Sequence, residues 1–424
     1  MKNFWEKISI ALKDPILRKR VGFTVGALVI FRLLASIPVP GVDPTNLAKL
    51  LSSSQFFGFL NIFSGGGLSN LSIVMLGVGP FITASIIIQI LTMMLPSWKA
   101  LMHDEGEAGR MKLSQYSRYM AAPLALLQGI GFIILLQSQN VLPHFSHFTL
   151  AVSAITVAAG SLLLMWVGEL ISEFGIGNGV SLIIFAGIVS RLPTDINQFF
   201  ASYDSANIPL YLGALAIGLI VIAGVVFVTE AERSVPVTYA KQVRGNKVYG
   251  GASTYLPLRL NQAGVIPIIF ALSILLFPQI ISNFLSHLTS HPLIASYAAS
   301  FTIFFNNPWV YGGFYFILVV AFTYFYTAVT FDPKLISENL QRSGAFIPGV
   351  RPGDHTRDHL AAIVTRITLV GALFLGVIAV LPLAMQAFTA NKSLAIGGTA
   401  LLIVVSVVLD LLKKIDAQVA MREY

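Results

Sequence analysis

The sequence predicts an all-α polytopic membrane protein with ten transmembrane helices in two inverted five-helix halves. Three observations predict it. Hydrophobic residues make up 55% of the 424 residues and charged residues only 11%, where a soluble domain carries about 25% charged residues. Ten apolar stretches, separated by polar or Gly/Pro-bearing connections, run the length of the chain. The bases sort to one side when those stretches are laid alternately across a bilayer.

A helix needs roughly 20 apolar residues to cross a membrane. Windows of that length give spans at 21–38, 73–95, 119–137, 149–168, 179–193, 208–228, 263–285, 309–331, 362–383 and 396–412, of which the fifth is short. Residues 1–20 form a polar, amphipathic segment, and no small-residue cleavage site follows the first span, so that span is expected to stay as an anchor. Within the segment Phe4, Ile8, Ala11 and Leu12 share one face, as in an interfacial helix. The chain has no Cys, which excludes disulfides and thiolate metal sites.

With the N-terminus in the cytosol, 23 of the 27 Lys and Arg fall in cytosolic segments. Lys49, Arg191 and Lys392 fall outside, and Arg32 lies in the first span. The positive-inside rule then puts both termini in the cytosol. The 169–178 connection carries Glu169 and Glu173 without a base, and its neighbours decide its side. Arg32 has three readings: a functional intramembrane charge, a snorkelling side chain, or a partner for a neighbouring helix.

Five crossings are an odd number, so a second five-span unit is inverted relative to the first. The halves are 21–193 and 194–412, followed by a cytosolic tail, 413–424. Inverted repeats place a functional site near the midplane between them. The long cytosolic connections 229–262 and 332–366 are rich in Arg, Gly and Pro. Neither is apolar enough to be a domain, and both read as protruding contact loops.

Two interruptions stand out. Residues 61–72 hold Gly65, Gly66 and Gly67 in succession, and each glycine costs about 1 kcal/mol relative to Ala inside a helix. The segment is either an ordinary external loop or a loosely held re-entrant piece, the latter allowed at membrane depth only where protein or water surrounds it. Gly175, Gly177 and Gly179 alternate at the start of the fifth span. They serve either a flexible turn or close backbone packing.

Enzyme chemistry finds no support. No Gly-x4-Gly-Lys-Ser/Thr loop is present. His355 and His359 have the i, i+4 spacing of two zinc ligands, but no Glu follows His355 in the His-Glu-x-x-His pattern. No catalytic residue, cofactor or metal ligand is expected. A secondary transporter of a small solute remains the alternative, yet it would need ionisable groups at the midplane, and the spans offer almost none besides Arg32.

The chain resembles the SecY family, the central subunit of the bacterial protein-conducting channel. The resemblance rests on Ile37 to Gly41, Phe63 to Gly66, Ala84 to Gln89, Gly106-Glu107 with Gly109-Arg110, and Gly175 to Gly179 with Ile183 to Val189. It continues through Ala263 to Pro267, Ser343 to Gly349, Arg351-Pro352-Gly353, Thr368 to Leu373 and Gly397 to Thr399. Number, order and spacing all match over nearly the whole length.

The resemblance implies an hourglass pore between the halves, closed at its waist by an aliphatic ring of Val78, Ile82, Val180, Ile184, Ile269 and Ile403. Such a ring gates by dewetting. It implies that 61–72, with Phe63, Ser64, Gly65, Gly66, Gly67 and Leu68, is a short, weakly held plug helix. It implies a lateral gate between the second and third spans and the seventh and eighth, where Gln89 and Gln128 are polar. A contact through them would hold the gate with about 0.6 kcal/mol, up to 1–2, although simple helix glue is equally open. Arg233, Lys241, Arg244, Lys247, Arg342, Arg351 and Arg357 would meet partners, Arg351 foremost. Pro348 and Pro352 stiffen the loop that presents it. The implied partners are SecE-like and SecG-like small membrane subunits, a SecA-like ATPase motor, the ribosome, signal-sequence-bearing polypeptides and anionic lipids. The implied location is the bacterial inner membrane, crossed many times.

Overall fold

The computed structural model describes residues 14–39, 61, 64, 66–138, 142–143, 145–190, 192–194, 197, 208–239, 242–244, 247–249, 253–262, 264, 266–275, 278, 296–297, 300–301, 304–305, 307–389 and 392–420. The amphipathic segment expected over residues 3–14 falls outside them except for Asp14, as do Phe63, Gly65 and Lys241.

Helices account for nearly all expected spans. They are α1 (Pro15–Leu34), α2 (Gly79–Met94), a short α3 (Pro96–Asp104), α4 (Glu107–Ser138), α5 (His147–Phe174), α6 (Gly179–Val189) and α7 (Ile208–Glu230). After a β-rich segment come α8 (Ile266–Leu275), α9 (Pro308–Thr330), α10 (Pro333–Arg342), α11 (Asp354–Thr389) and α12 (Lys392–Ala420). Three starts share one device. Asp14, Asn307 and Asp332 each accept backbone N–H bonds with a proline at the next position, which satisfies orphan donors and presets φ for the first turn. The 413–424 stretch, expected as a tail, continues α12 as helix to Ala420.

Four helices among the described residues are long and apolar enough to cross a membrane by themselves. The 32 residues of α4 and 36 of α11 reach about 48 and 54 Å at 1.5 Å per residue, well beyond the roughly 30 Å hydrocarbon layer. By contrast α6, with 11 residues, reaches only about 16 Å. Outward faces are apolar too: Phe148, Leu127, Ile220 and Phe227 are all at least two-thirds exposed. Patches of that kind need lipid or a partner to cover them.

Contacts sort the helix ends. Leu17 at the start of α1 and Ile176 after α5 share a cluster with Leu411 and Ile415 of α12. Lys413 of α12 pairs with Glu230 at the end of α7 at 2.9 Å. Arg118 of α4 pairs with Glu169 of α5 at 2.5 Å. The base missing from the 169–178 connection is thus supplied by α4. At the opposite end, Arg32 Nη1 donates to Ser190 Oγ just past α6 at 3.2 Å. Arg32 closes α1 by pairing with a neighbouring helix end, and a cation there also complements two helix C-termini.

The second span is shorter than expected. Residues 73–78 form turns rather than helix. Gly77 has φ +58°, Ile73 N–H donates to Ile37 O at 3.0 Å, and Ser161 Oγ donates to Gly77 O at 2.7 Å. A Cβ on Gly160 would overlap Ile73 O, so α5 fits this irregular backbone only because it carries glycine there. Tertiary hydrogen bonds outbid the helical ladder.

The two basic connections are not independent loops. Glu232–Tyr239 (β1) pairs antiparallel with Ser253–Arg259 (β4), and with Ala345–Phe346 (β5) through Thr238↔Phe346 and Tyr239↔Ala345, giving the order β4-β1-β5. Gln242–Arg244 (β2) and Lys247–Tyr249 (β3) form a separate hairpin. Val235, Val237 and Leu258 alternate inward, as a half-buried strand requires. They pack with Ala345 and Ile347 on Leu360, Ile363, Val364 and Ile367 of α11. The two connections read as protruding contact loops thus share strands and build a small apolar core together.

Candidate functional site

The six aliphatic ring positions all lie in or against one large apolar core. Val78 immediately precedes α2 rather than lying within it, and its carbonyl accepts from Ile82 N at 3.1 Å, so the pair keeps helical spacing. Val180 and Ile184 lie on α6, Ile269 on α8 and Ile403 on α12. Five of the six are buried in one continuous apolar cluster, and half-buried Val180 packs against it. The glycines position α6. A Cβ on Gly179 would overlap Gly168 O, and one on Gly175 would meet Thr24 Oγ1 at 2.5 Å. Gly177 takes φ +95°, left-handed backbone that glycine adopts without penalty. Close packing, not flexibility, is the use of this motif.

The described residues of 61–72 are enclosed. Asn61 is helical, Ser64 and residues 66–71 form turns, Ser72 bridges to Pro38, and Asn61, Ser64, Leu68, Leu71 and Ser72 are each at most 1% exposed. Ser64 Oγ accepts from Leu68 N at 3.0 Å and donates to Asn61 O at 3.1 Å, while Asn61 Oδ1 accepts from Ser69 N at 3.1 Å. Leu71 sits at φ +44°, which β-carbon sterics disfavour, and Val39 N–H donates to its carbonyl at 2.8 Å. Leu68 and Leu71 enter a second apolar cluster with Phe132, Ile133 and Leu136 of α4. Ser64 and Ser69 tie the backbone here, Ser69 through Oγ to Gly66 O at 2.6 Å, whereas Ser72 Oγ is buried with no partner among the described residues. Gly66 and Gly67 lie within these turns.

A seam separates α9 from α2 and α4. α2 packs on α4, and α9 packs on α11, but α9 shares no packed face with α2 or α4 among the described residues. A cavity of about 610 Å³ lies there, lined among others by Gln89, Thr92, Arg110, Ser117, Tyr326 and Phe331. Gln89 Oε1 is buried without a hydrogen-bond partner. Among the described residues that acceptor makes no hydrogen bond across the cavity, although the hydroxyls of Tyr326 and Thr330 line the far wall. Gln128 is half-buried on α4 and does not line the cavity. The polar residues that do line it from α4 and α9, Arg110 and Tyr326 among them, were missed. Arg110, Leu113, Ser114 and Ser117 share one helix face by their spacing, but which element that face meets is decided only in the tertiary structure.

The seven expected partner cations divide by pairing. Arg357 sits between Asp354 (2.8 Å) and Asp358 (2.9 Å). The hydrogen bond to Asp358, with the charges of both carboxylates, makes its guanidinium still more basic than usual. Arg342 faces Glu338 at 3.6 Å. Arg351 and Arg233 are exposed and have no ion pair among the described residues. Arg244 and Lys247 flank the turn of the β2–β3 hairpin.

Comparison with known proteins supplies the frame for this geometry. The SecY family model matches residues 72–412. The protein translocase subunit SecY of Mycobacterium bovis is 41% identical over 434 aligned positions, covering 98% of this chain and 97% of the relative. Among solved structures, a SecY protein whose plug domain is described as stabilising the closed state and maintaining a membrane seal aligns with TM-score 0.65 at 18% identity, covering 98% of this chain and 97% of the other. Sec61 from the canine ribosome–channel complex aligns with TM-score 0.62 at 16% identity, covering 96% and 94%. At those identities the structures speak for the fold, and the sequence matches speak for the family. The chain is a multi-pass membrane protein and belongs to the SecY family.

Proposed function

We propose that this chain is the channel-forming subunit of a protein translocase, passing unfolded polypeptides across a membrane and releasing apolar helices sideways into lipid. The observation that supports the reading is that Val78, Ile82, Val180, Ile184, Ile269 and Ile403 all lie in or against one continuous apolar core. A greasy constriction gives ions no ligands, yet yields to an extended chain. A solute carrier would place polar or charged ligands there, and nothing in the comparisons supports that alternative.

In this reading the buried 61–72 segment is the plug and the cavity-lined seam is the lateral gate. Opening the seam lets an apolar helix reach lipid, driven by roughly 25 cal/mol per Å² of apolar surface removed from water. The halves divide at 193–194, the basic end faces the cytosol with both termini, and the membrane is the bacterial inner membrane. The sheet and its cations dock the ribosome, in keeping with the ribosome-bound Sec61 neighbour. A SecA-like motor uses the same face, and SecE-like and SecG-like subunits cover part of the apolar exterior. Anionic lipids meet the basic end.

Site-specific photocrosslinking tests the pore. Probes replace Ile82, Ile184 and Ile403, with probes at exposed Ile220 and Phe227 as controls, and a secretory chain is stalled in transit. Strong adducts from the three interior positions alone are expected. Silent interior probes on an engaged chain would show the constriction is misplaced.

A further inference from the structure

The turn that carries Arg351 is tied from both sides. It leaves β5, spans residues 347–353 and enters α11. Val350 N–H donates to Ile347 O at 3.0 Å, and Gly349 and Gly353 take φ +83° and +93°, values that glycine alone adopts cheaply. Ser337 of α10, 3% exposed, donates through Oγ to Gly353 O at 2.6 Å. Thr356 of α11, 2% exposed, donates through Oγ1 to Arg351 O at 2.9 Å. Three threonines on the neighbouring helices α9 and α11 behave differently. Thr323, Thr327 and Thr365 each return their proton to the carbonyl four residues back in their own helix. Ser337 and Thr356 instead reach out of their helices to the main chain of this one turn. The guanidinium they flank stays exposed and without an ion pair among the described residues, while Arg342 and Arg357 on either side are neutralised by carboxylates.

We infer that Ser337 and Thr356 are positioning residues that hold the Arg351 turn in place for a polyanionic partner. The inference rests on the reading that the ribosome docks on this basic face, and takes Arg351 to meet its RNA. Fixing the turn beforehand removes ordering cost from the moment of docking, and two buried hydroxyls on neighbouring carbonyls do so without covering the charge.

The test is equilibrium binding of purified bacterial ribosomes to the full-length chain in lipid nanodiscs. Ser337→Ala and Thr356→Val each weaken binding about 3- to 10-fold, the range of one ordinary hydrogen bond. Ser337→Thr and Thr356→Ser, which keep the hydroxyl, bind as the parent does. Combined with Arg351→Ala, the hydroxyl deletions add no further loss, since there is no longer a cation to position. A purely structural role would give losses that add, and that result overturns the inference. So does unchanged binding in both deletions while Arg351→Ala weakens it, or a loss in the hydroxyl-retaining variants equal to that of the deletions. In those cases the Arg351 contact itself still stands. Parent-like binding by Arg351→Ala overturns that contact and the positioning role with it.

Discussion

Replacing Gln89 with Leu should close the seam more firmly. Gln89 Oε1 is buried beside the α2/α4/α9 cavity and has no hydrogen-bond partner. A buried unsatisfied acceptor costs about 1–3 kcal/mol, and Leu fills similar volume without that penalty. The closed arrangement is then favoured by about 5- to 150-fold relative to an open one in which water or a passing helix satisfies the amide. Two assays read this: the thermal midpoint of the purified protein in detergent, expected to rise, and translocation into proteoliposomes of a substrate with a weakly apolar signal, expected to slow. A strongly apolar signal should be slowed less, because its partition energy exceeds the added bias. A fall in the midpoint would refute the reasoning, since it would mean Gln89 contributes a favourable contact in the closed state.

Three further outcomes follow from the packing. Leu68→Ala empties a fully buried site at a cost of about 2–5 kcal/mol, and resting ion conductance in planar bilayers should rise. Unchanged conductance would show that the segment does not seal the pore. Gly179→Ala sets a methyl against Gly168 O and should lower stability by about 1–3 kcal/mol, read as a lower melting point with α6 displaced. A neutral substitution would contradict the close α5–α6 approach. Arg118→Ala breaks an ion pair whose side chains are 46% and 21% exposed, so only about 0.2–1 kcal/mol is at stake. That loss should shrink in high salt, and one that persists there would mean the pair is better shielded than its exposure indicates.

The features of the candidate site that are legible in the sequence are the local ones. The apolar residues Ile184 and Ile403 sit in spans whose hydropathy is plain, and the alternating Gly175, Gly177 and Gly179 announce a special backbone. Reading failed where a partner decides. The serines of 61–72 look like loosening residues until Ser64 is seen bonding both Asn61 O and Leu68 N. Arg357 looks like Arg351 until Asp354 and Asp358 are seen on either side of it.

The spans are properties of the chain itself. Transfer of a segment to lipid depends on its own composition, so the apolar helices α4, α5, α9 and α11 were legible before any contact formed. The break at 73–78 was not, because it exists only where α5 presents Gly160 and Ser161 to it. The sheet was not either: β5 lies about a hundred residues beyond β1, and the strands bury their apolar faces in a core shared with β4, α10 and α11. Nor was the unpaired Gln89 acceptor, whose state depends on what stands across the seam. Long-range hydrogen bonds and shared burial leave no period or motif in the sequence, and only the tertiary structure decides them.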